Sequence, residues 1–374
     1  MAGNTALGNA ARAKEDEFYT QLSDIEKELR HYRKHFNGKT VLCNCDDPFE
    51  SKFFEFFVKK FNAWGLKKLI ATCYAGSPII GRQFELFEVE PDAPPGTPYK
   101  AVVTKVYDKT GDGYFDMDDV RALFLSGENQ LTKLQGDGDF RSQECLDILD
   151  EADIVVTNPP FSKFREYVAT LVKHDKQFLI IGSQNNISYK EIFPLIMSGK
   201  IWLGCNAGDM AFTVPDYFEP RETRYWQDES GQKWRSLGNI CWFTNLDHKK
   251  RHEEIDLYKH YTPEEYPKYV NYDAINVREI ASIPCDYDGL MGVPITFLSK
   301  YNPEQFEILG SSSELARSMK EIAEKGTYIS SGGRFYTTMI NDKDRARGLL
   351  YHREYERLVI RNRHPEKPRQ KNEN

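Results

Sequence analysis

The residues best suited to chemistry are Asn158, Pro159, Pro160 and Phe161, which follow the apolar, β-branched run Ile154-Val155-Val156. Such a run reads as a strand covered on both faces. The two prolines forbid further ladder hydrogen bonds and immediate helix. Ligands of open α/β sheets sit at the carboxyl ends of strands, where these four residues would lie. The chemistry they suit is transfer to an exocyclic amine on a base. That amine is a poor nucleophile because its lone pair is delocalised into the ring. Two acceptors aimed at its hydrogens draw the nitrogen towards tetrahedral geometry and free the pair. The Asn158 side-chain oxygen and the Pro159 carbonyl are acceptors of this kind, proline having a carbonyl and no N–H. Phe161 can stack on the base. The competing reading is a plain strand-ending turn, for which Asn and Pro are ordinary residues. The buried strand before the loop and the aromatic ring in it weigh against that reading.

Alternating helical and strand patterns must position this loop. Ile25, Leu29 and Tyr32 keep helical spacing up to Phe36, and Asn37-Gly38 stops the helix. Thr40-Val41-Leu42-Cys43-Asn44-Cys45 reads as a strand ending at Asp46-Asp47-Pro48. Phe53, Phe54, Phe57, Val58 and Phe61 mark one face of a helix, which Gly65 ends, and residues 68–74 form a second strand. Helix, strand, helix, strand with short connections predicts a parallel βαβ unit with a right-handed crossover. The rhythm resumes after Phe161. A helix over 162–174 turns Phe164, Tyr167, Val168 and Leu171 inward, and 177–182 is another buried strand. A helix over 189–197 is broken around Pro194, and a strand covers 200–204. Strand-like runs at 211–214 and 240–245 bracket a polar loop with Arg221, Arg224 and Arg235, and an antiparallel pair closing the sheet is expected there.

Residues 75–135 interrupt this pattern, and alternating runs at 83–88 and 99–107 predict an inserted β-hairpin. At its tip, Asp108, Thr110, Asp112, Gly113, Asp116 and Asp119 take positions 1, 3, 5, 6, 9 and 12 of a calcium loop. An acidic turn is the preferred reading. Position 12 is Asp where a bidentate Glu is usual, and the preceding segment alternates like a strand. Beyond about residue 250 helical periodicity is lost, with strands expected at 293–298 and 306–310 and a helix from 311 to 325.

Composition bounds the rest. The chain has 374 residues, 40% hydrophobic and 29% charged, enough for two globular domains. The first 17 residues lack the apolar core of a signal peptide, and no apolar run reaches the ~18–20 residues of a membrane span. Seven scattered cysteines without paired CxxC motifs indicate neither a zinc nor a disulfide framework and suit a cytoplasmic protein. The net charge of −7 argues weakly against nucleic acid as a partner. Its distribution matters more: residues 334–371 hold eleven Lys/Arg against five Asp/Glu. Arg353, Arg357 and Arg361 recur every fourth residue, which would make a basic stripe if that segment were helical.

Together these stretches resemble the adenine-specific DNA methyltransferases, most closely the EcoRI type. The likeness is dense at Asp-Glu-Phe-Tyr-Thr-Gln (16–21) and Cys-Asn-Cys-Asp-Asp-Pro (43–48). It continues at 136–142, 154–167, 178–181 and 201–204, and returns at Tyr-Asp-Ala-Ile-Asn-Val (272–277) and 291–298. The resemblance implies an α/β fold: a Rossmann-like sheet dependent on S-adenosylmethionine, with an inserted β-hairpin and a C-terminal DNA-recognition region. It implies methyl transfer to N6 of a flipped adenine in double-stranded DNA. By position it implies that Asn158, Pro159, Pro160 and Phe161 are catalytic. Asp46, Asp47 and Pro48 would lie near the methionine part of the cofactor. Asp139 and Phe140 would hold its adenine, with Asp137 a competitor for that role, and Phe18, Tyr19 and Thr20 match the N-terminal cofactor motif. Two departures stand out. Phe49-Glu50-Ser51-Lys52 replaces a glycine-rich turn, and Thr72-Cys73-Tyr74 lacks the usual ribose-binding acid. The expected organisation is a disordered start (1–15), a catalytic domain (16–250, with 75–135 inserted) and a recognition region with a basic tail (251–374). A monomer and a cognate restriction endonuclease fit the resemblance. The alternatives are a methyltransferase acting on RNA or on protein glutamine, and a non-catalytic DNA- or calcium-binding module.

Overall fold

The computed structural model describes residues 19–45, 51–74, 98–113, 115–214, 218–330 and 332–367. The start expected to be disordered, Phe18, Asp46, Asp47, Pro48, the alternating run at 83–88, Arg369 and Lys371 lie outside them. The chain divides into two compact units, Met1–His248 and Lys249–Asn374.

In the first unit the elements are β1 (Tyr19–Thr20), α1 (Leu22–Leu29), β2 (Thr40–Cys43), α2 (Lys52–Trp64), β3 (Lys68–Thr72), β4 (Tyr99–Val103), α3 (Met117–Leu125), β5 (Gln130–Lys133), α4 (Gln143–Glu151), β6 (Ile154–Thr157), α5 (Phe164–Lys173), β7 (Gln177–Ser183), α6 (Phe193–Met197), β8 (Trp202–Thr213), β9 (Tyr225–Gln227) and β10 (Lys233–Thr244). The strands join one mixed sheet in the order β1-β8-β10-β7-β6-β2-β3-β4-β5, with β9 beside β10. Its centre, β7-β6-β2-β3, is parallel. β2 and β6 are wholly buried, as continuous apolar runs require. The helices form for local reasons. Ser51 Oγ accepts the Phe54 N–H at the start of α2, and Gly65, at φ +66°, ends it in the left-handed conformation. The Phe53, Phe54, Phe57, Val58 and Phe61 face is buried as its spacing predicts.

Two expectations for this unit need correction, and one is met. The segments 200–204 and 211–214 are one twelve-residue strand, β8, and Arg235 lies within β10, not in a loop. Trp202–Thr213 continues through Asn206 and Gly208 because a buried carboxylate supports it there. Glu28 of α1 accepts the N–H groups of Cys205 (2.7 Å) and Asn206 (2.8 Å), the Asn206 side-chain N–H (2.6 Å) and the Tyr32 hydroxyl (2.8 Å). Second, the described part of the insertion is not a simple hairpin. β4 pairs antiparallel with both β3 and β5, and α3 stands between β4 and β5. The acidic turn preferred for 108–119 is present, with Asp119 in the first turn of that helix. Asp119 accepts the Lys109, Thr110 and Asp116 N–H groups at 2.8–3.0 Å, and Asp108 accepts those of Gly111 and Gly113. These carboxylates close a self-capped acidic turn.

In the second unit β11 (Ile275–Asn276), β12 (Met291–Pro294), β16 (Arg357–Asn362) and β13 (Phe306–Ser311) form a sheet in that order, and β14 (Tyr336–Thr337) pairs with β15 (His352–Arg353). The strand expected at 293–298 is shorter, because Pro294 gives way to a 3₁₀ turn over Ile295–Lys300. The helix expected at 311–325 is one turn, α7 (Ser312–Leu315), followed by a separate 3₁₀ turn. A further short helix, α8, spans Asp342–Ala346. The supposed basic stripe is not helical: Arg353 and Arg357 fall in two different strands, and Arg357 is buried against Glu354 at 2.8 Å.

Candidate active site

The sheet order decides what can meet. The chain leaves β2 towards β3 on one side and returns to β6 on the other, so the order reverses between β2 and β6. Ligands of such sheets bind outside the carboxyl ends at that reversal. Three neighbouring strand ends carry predicted residues there. β6 ends at Thr157 and delivers Asn158. β2 ends at Cys43 and leads through Asn44 towards Asp46–Pro48. β3 ends at Thr72, where the 136–140 loop packs. Gly138 makes that packing possible: its φ is +76°, and a Cβ there would lie 2.1 Å from the Cys73 carbonyl oxygen.

Asn158 and Pro159 are buried, Asn158 to 7% exposure. The two proline carbonyls differ. That of Pro160 accepts the Lys163 N–H at 2.9 Å, whereas that of Pro159 takes no hydrogen bond among the described residues. The acceptor singled out from the sequence is therefore the available one. Phe161 is 8% exposed and belongs to one apolar cluster with Phe53, Phe212 and Trp242, so its ring is anchored in the core and shows little surface.

One link across these strand ends was not visible in the sequence. The Tyr167 hydroxyl, from α5, donates to the Asn44 side-chain oxygen at the end of β2. The Tyr167 ring meets that of Phe140 edge-on, with centroids 5.1 Å apart. Burial pushes the Tyr167 hydroxyl far above its usual titration range, so it stays a donor. One tyrosine thus touches the first-strand end and the loop past β5 while standing on the helix that follows Asn158. The helical periodicity marked Tyr167 as inward and nothing more.

The carboxylates of the 136–140 loop differ in the same way as the prolines. Asp139 is clamped by Arg141 through Nε (2.8 Å) and Nη2 (2.6 Å), which holds its carboxyl below the usual range. Arg141 also lies over the Phe140 ring at 5.6 Å and pairs with Glu166. Asp137 is exposed, and one oxygen accepts the Asp139 N–H at 3.0 Å. A loop held in place by a glycine, edged by an aromatic ring and offering an exposed carboxylate fits the flat, amine-bearing adenosyl end of the implied cofactor.

β1 occupies the far edge of the sheet, but the pairing register brings it to the same end. β10 pairs with β7 only as far as Ile240↔Ser183. Beyond that point β8 and β10 continue as an arm past the carboxyl end of β7, and β1 pairs with its outer part, Thr20↔Phe212. A bulge between Leu237 and Ile240, opposite Gly208 at φ +128°, interrupts the ladder where the arm begins. β1 also packs against α2, the helix that follows Asp46–Pro48. The Thr20 hydroxyl is buried and has no hydrogen-bond partner among the described residues.

The family described as adenine-specific methyltransferase EcoRI matches residues 6–363. The chain is 44% identical over 346 residues to the Type II methyltransferase M.EcoRI of Escherichia coli, covering 91% of this chain and 98% of that protein. The chain belongs to the EcoRI-type family of adenine-specific DNA methyltransferases. The Type II methyltransferases M.MgeORF184P of Mycoplasma genitalium and M.MpnI of Mycoplasma pneumoniae are 37% and 36% identical. Each match covers 81% of this chain, and 85% and 84% of the respective relative. No solved structure matches. Membership favours the DNA reading over the RNA, protein and non-catalytic readings.

The arm of this methyltransferase also carries a basic and aromatic patch. Trp226 and Trp234 stack with planes 4° apart and centroids at 5.9 Å, and Trp226 is 41% exposed. Arg224 pairs with Asp209 at 2.7 Å, and Arg235 is held below its usual range by burial and then by the charges of Arg221 and Arg224. No described helix is long and apolar enough to cross a membrane.

Proposed function

We propose that this methyltransferase transfers a methyl group from S-adenosylmethionine to N6 of an adenine extruded from duplex DNA. The observation that carries the reading is the meeting of the Asn158 loop, the Asn44 strand end and the 136–140 loop at the reversal within the parallel centre of one mixed sheet. In this reading the sheet is Rossmann-like, the first unit is catalytic, and the second contributes target recognition.

Bound S-adenosylmethionine supplies an electrophilic methyl on a sulfonium. The chain supplies position and electrostatics. Asn158 Oδ1 and the Pro159 carbonyl accept the two amine hydrogens, and Pro160 stiffens the loop. Phe161 offers an edge of its ring to the extruded base. The 136–140 loop receives the cofactor's adenine against Phe140. Asp137 is the carboxylate open to its amine, because Arg141 occupies Asp139. Asp46, Asp47 and Pro48 are assigned to the methionine end, and Phe18, Tyr19 and Thr20 to the cofactor's outer side. Extrusion costs a few kcal/mol, which phosphate contacts from Arg221, Arg224 and Arg235 would help to offset. A DNA substrate and seven cysteines outside any disulfide suit a cytoplasmic enzyme. A monomer is expected. The Type II relatives make a cognate restriction endonuclease the expected partner.

The test is transfer of labelled methyl from S-adenosylmethionine to unmethylated duplex DNA, with the product nucleosides resolved. N6-methyladenine at one recurring sequence is expected. Label on cytosine, or on RNA or protein instead, would overturn the reading.

A further inference from the structure

We propose that His260, Cys285 and Asp286 form a zinc site that pins together two segments of the second unit, beside Glu366, whose N–H is held by the Cys285 carbonyl. His260 Nδ1 faces Asp286 Oδ2 at 3.0 Å and Cys285 Sγ at 3.6 Å, and the three ligand atoms all lie within 4.8 Å of one another. Both partners approach the same ring nitrogen. A nucleophilic cysteine relay needs the thiol on one imidazole nitrogen and the carboxylate on the other, so this geometry does not serve one. It serves a cation, because a thiol, an imidazole and a carboxylate converge on one point. That mixture of sulfur, nitrogen and oxygen suits zinc, whereas magnesium and calcium take oxygen ligands.

The ligands are fixed by their own backbone. Asp286 Oδ1 accepts the Tyr261 N–H at 2.8 Å, which turns Oδ2 towards His260. The Cys285 N–H donates to the Lys259 carbonyl and the Glu366 N–H to the Cys285 carbonyl, each at 2.8 Å. Cys285 is 4% exposed while His260 is open to solvent, so an ion has a way in. A bound dication takes Cys285 as the thiolate and releases the thiol proton to solvent. The segments joined are short of regular structure. Lys259 and Pro284 share an isolated bridge, and Glu366 follows the last strand. The metal therefore adds a cross-link between segments that share only an isolated bridge. Cysteine spacing could not show the site, because it contributes one thiol.

The full-length protein, stripped with chelator, is titrated with Co²⁺ as a spectroscopic probe and melted with and without Zn²⁺. One equivalent of Co²⁺ is expected to produce sulfur-to-cobalt charge-transfer absorption. Zn²⁺ is expected to raise the melting temperature where Mg²⁺ does not. Cys285→Ser should abolish the absorption. His260→Gln, at a solvent-exposed position, should abolish the thermal shift and leave metal-free melting unchanged. If Cys285→Ser fails to fold, His260→Gln decides. Absence of the absorption, or its persistence in His260→Gln, would overturn the site, the latter by pointing to one of the other six thiols. None of these readouts depends on methyl transfer.

Discussion

The two sheets of this methyltransferase are held by different means. In the first unit the interiors of β2, β6 and β7 (Val41–Cys43, Ile154–Val156 and Phe178–Ile181) are apolar, with buried Thr40, Thr157 and Ser183 only at the strand ends, and ladder pairing and burial hold the sheet centre. One buried carboxylate, Glu28, ties α1 to β8 through the Cys205 and Asn206 N–H groups. In the second unit the strands are tied by buried polar side chains. Asn276 accepts the Tyr269 hydroxyl (2.9 Å) and donates to Glu354 (2.8 Å), which also receives Arg357 of β16 (2.8 Å). Asn271 donates to the Arg317 and Arg334 carbonyls and accepts the Tyr336 N–H at 3.0 Å. The dense tyrosines around residues 258–272 serve this second mode. Tyr269 and Tyr272 flank Phe335 at 4.5 and 5.0 Å. An apolar sheet leaves the loops at its strand ends free to carry chemistry. A sheet stitched by side chains commits those side chains to stability.

Four changes test this contrast, from the largest expected effect. Glu354→Ala leaves Arg357 buried without its counter-charge and should destabilise the second unit by about 3–5 kcal/mol, read by denaturant unfolding. A loss below ~1 kcal/mol would break the contrast. Asn158→Ala should lower methyl transfer by about 10²–10³-fold with cofactor binding and melting unchanged, because this loop end carries chemistry and not the core. Normal turnover would remove Asn158 from the mechanism. Gly138→Ala brings a Cβ against the Cys73 carbonyl at a left-handed position and should cost about 1–3 kcal/mol. It should also raise the KM for cofactor more than it changes kcat. An unaltered KM would detach the 136–140 loop from the cofactor.

The smallest effect concerns pH. Arg141 holds the Asp139 carboxyl below the usual range. A lowered folded-state pKa stabilises above the ordinary carboxylate value, near 4, and that stability is lost as the pH falls through the folded value. The half-exposed guanidinium limits the contribution to under ~1 kcal/mol. Arg141→Gln should remove this acid-side component from the pH dependence of melting. An unchanged acid limb would mean that the clamp is energetically silent.

Much of the first unit was legible because its signals are local. Ile154-Val155-Val156 declares a buried strand by consecutive residues, and Pro159-Pro160 ends it for steric reasons that need no partner. The Phe53–Phe61 face follows from helical spacing, and the family likeness rests on short contiguous blocks. The misreadings arose where a distant partner decides. Trp202–Thr213 stays one strand because Glu28, far earlier in the chain, accepts the N–H groups at its irregular centre. Arg353, Arg357 and Arg361 share a spacing that suits a helix, but β12 and β13 claim Arg357–Asn362 as a strand between them, and Glu354 draws Arg357 inside.

The sequence by itself determined the α/β alternation, the place of the Asn158 loop and the family. Each is written in residues that are neighbours along the chain. Only the tertiary structure decided that Arg141 occupies Asp139, that Tyr167 joins Asn44 to Phe140, and that His260 meets Cys285 and Asp286. Those are pairings between residues far apart in sequence, set by strand order and by which buried polar groups must find partners.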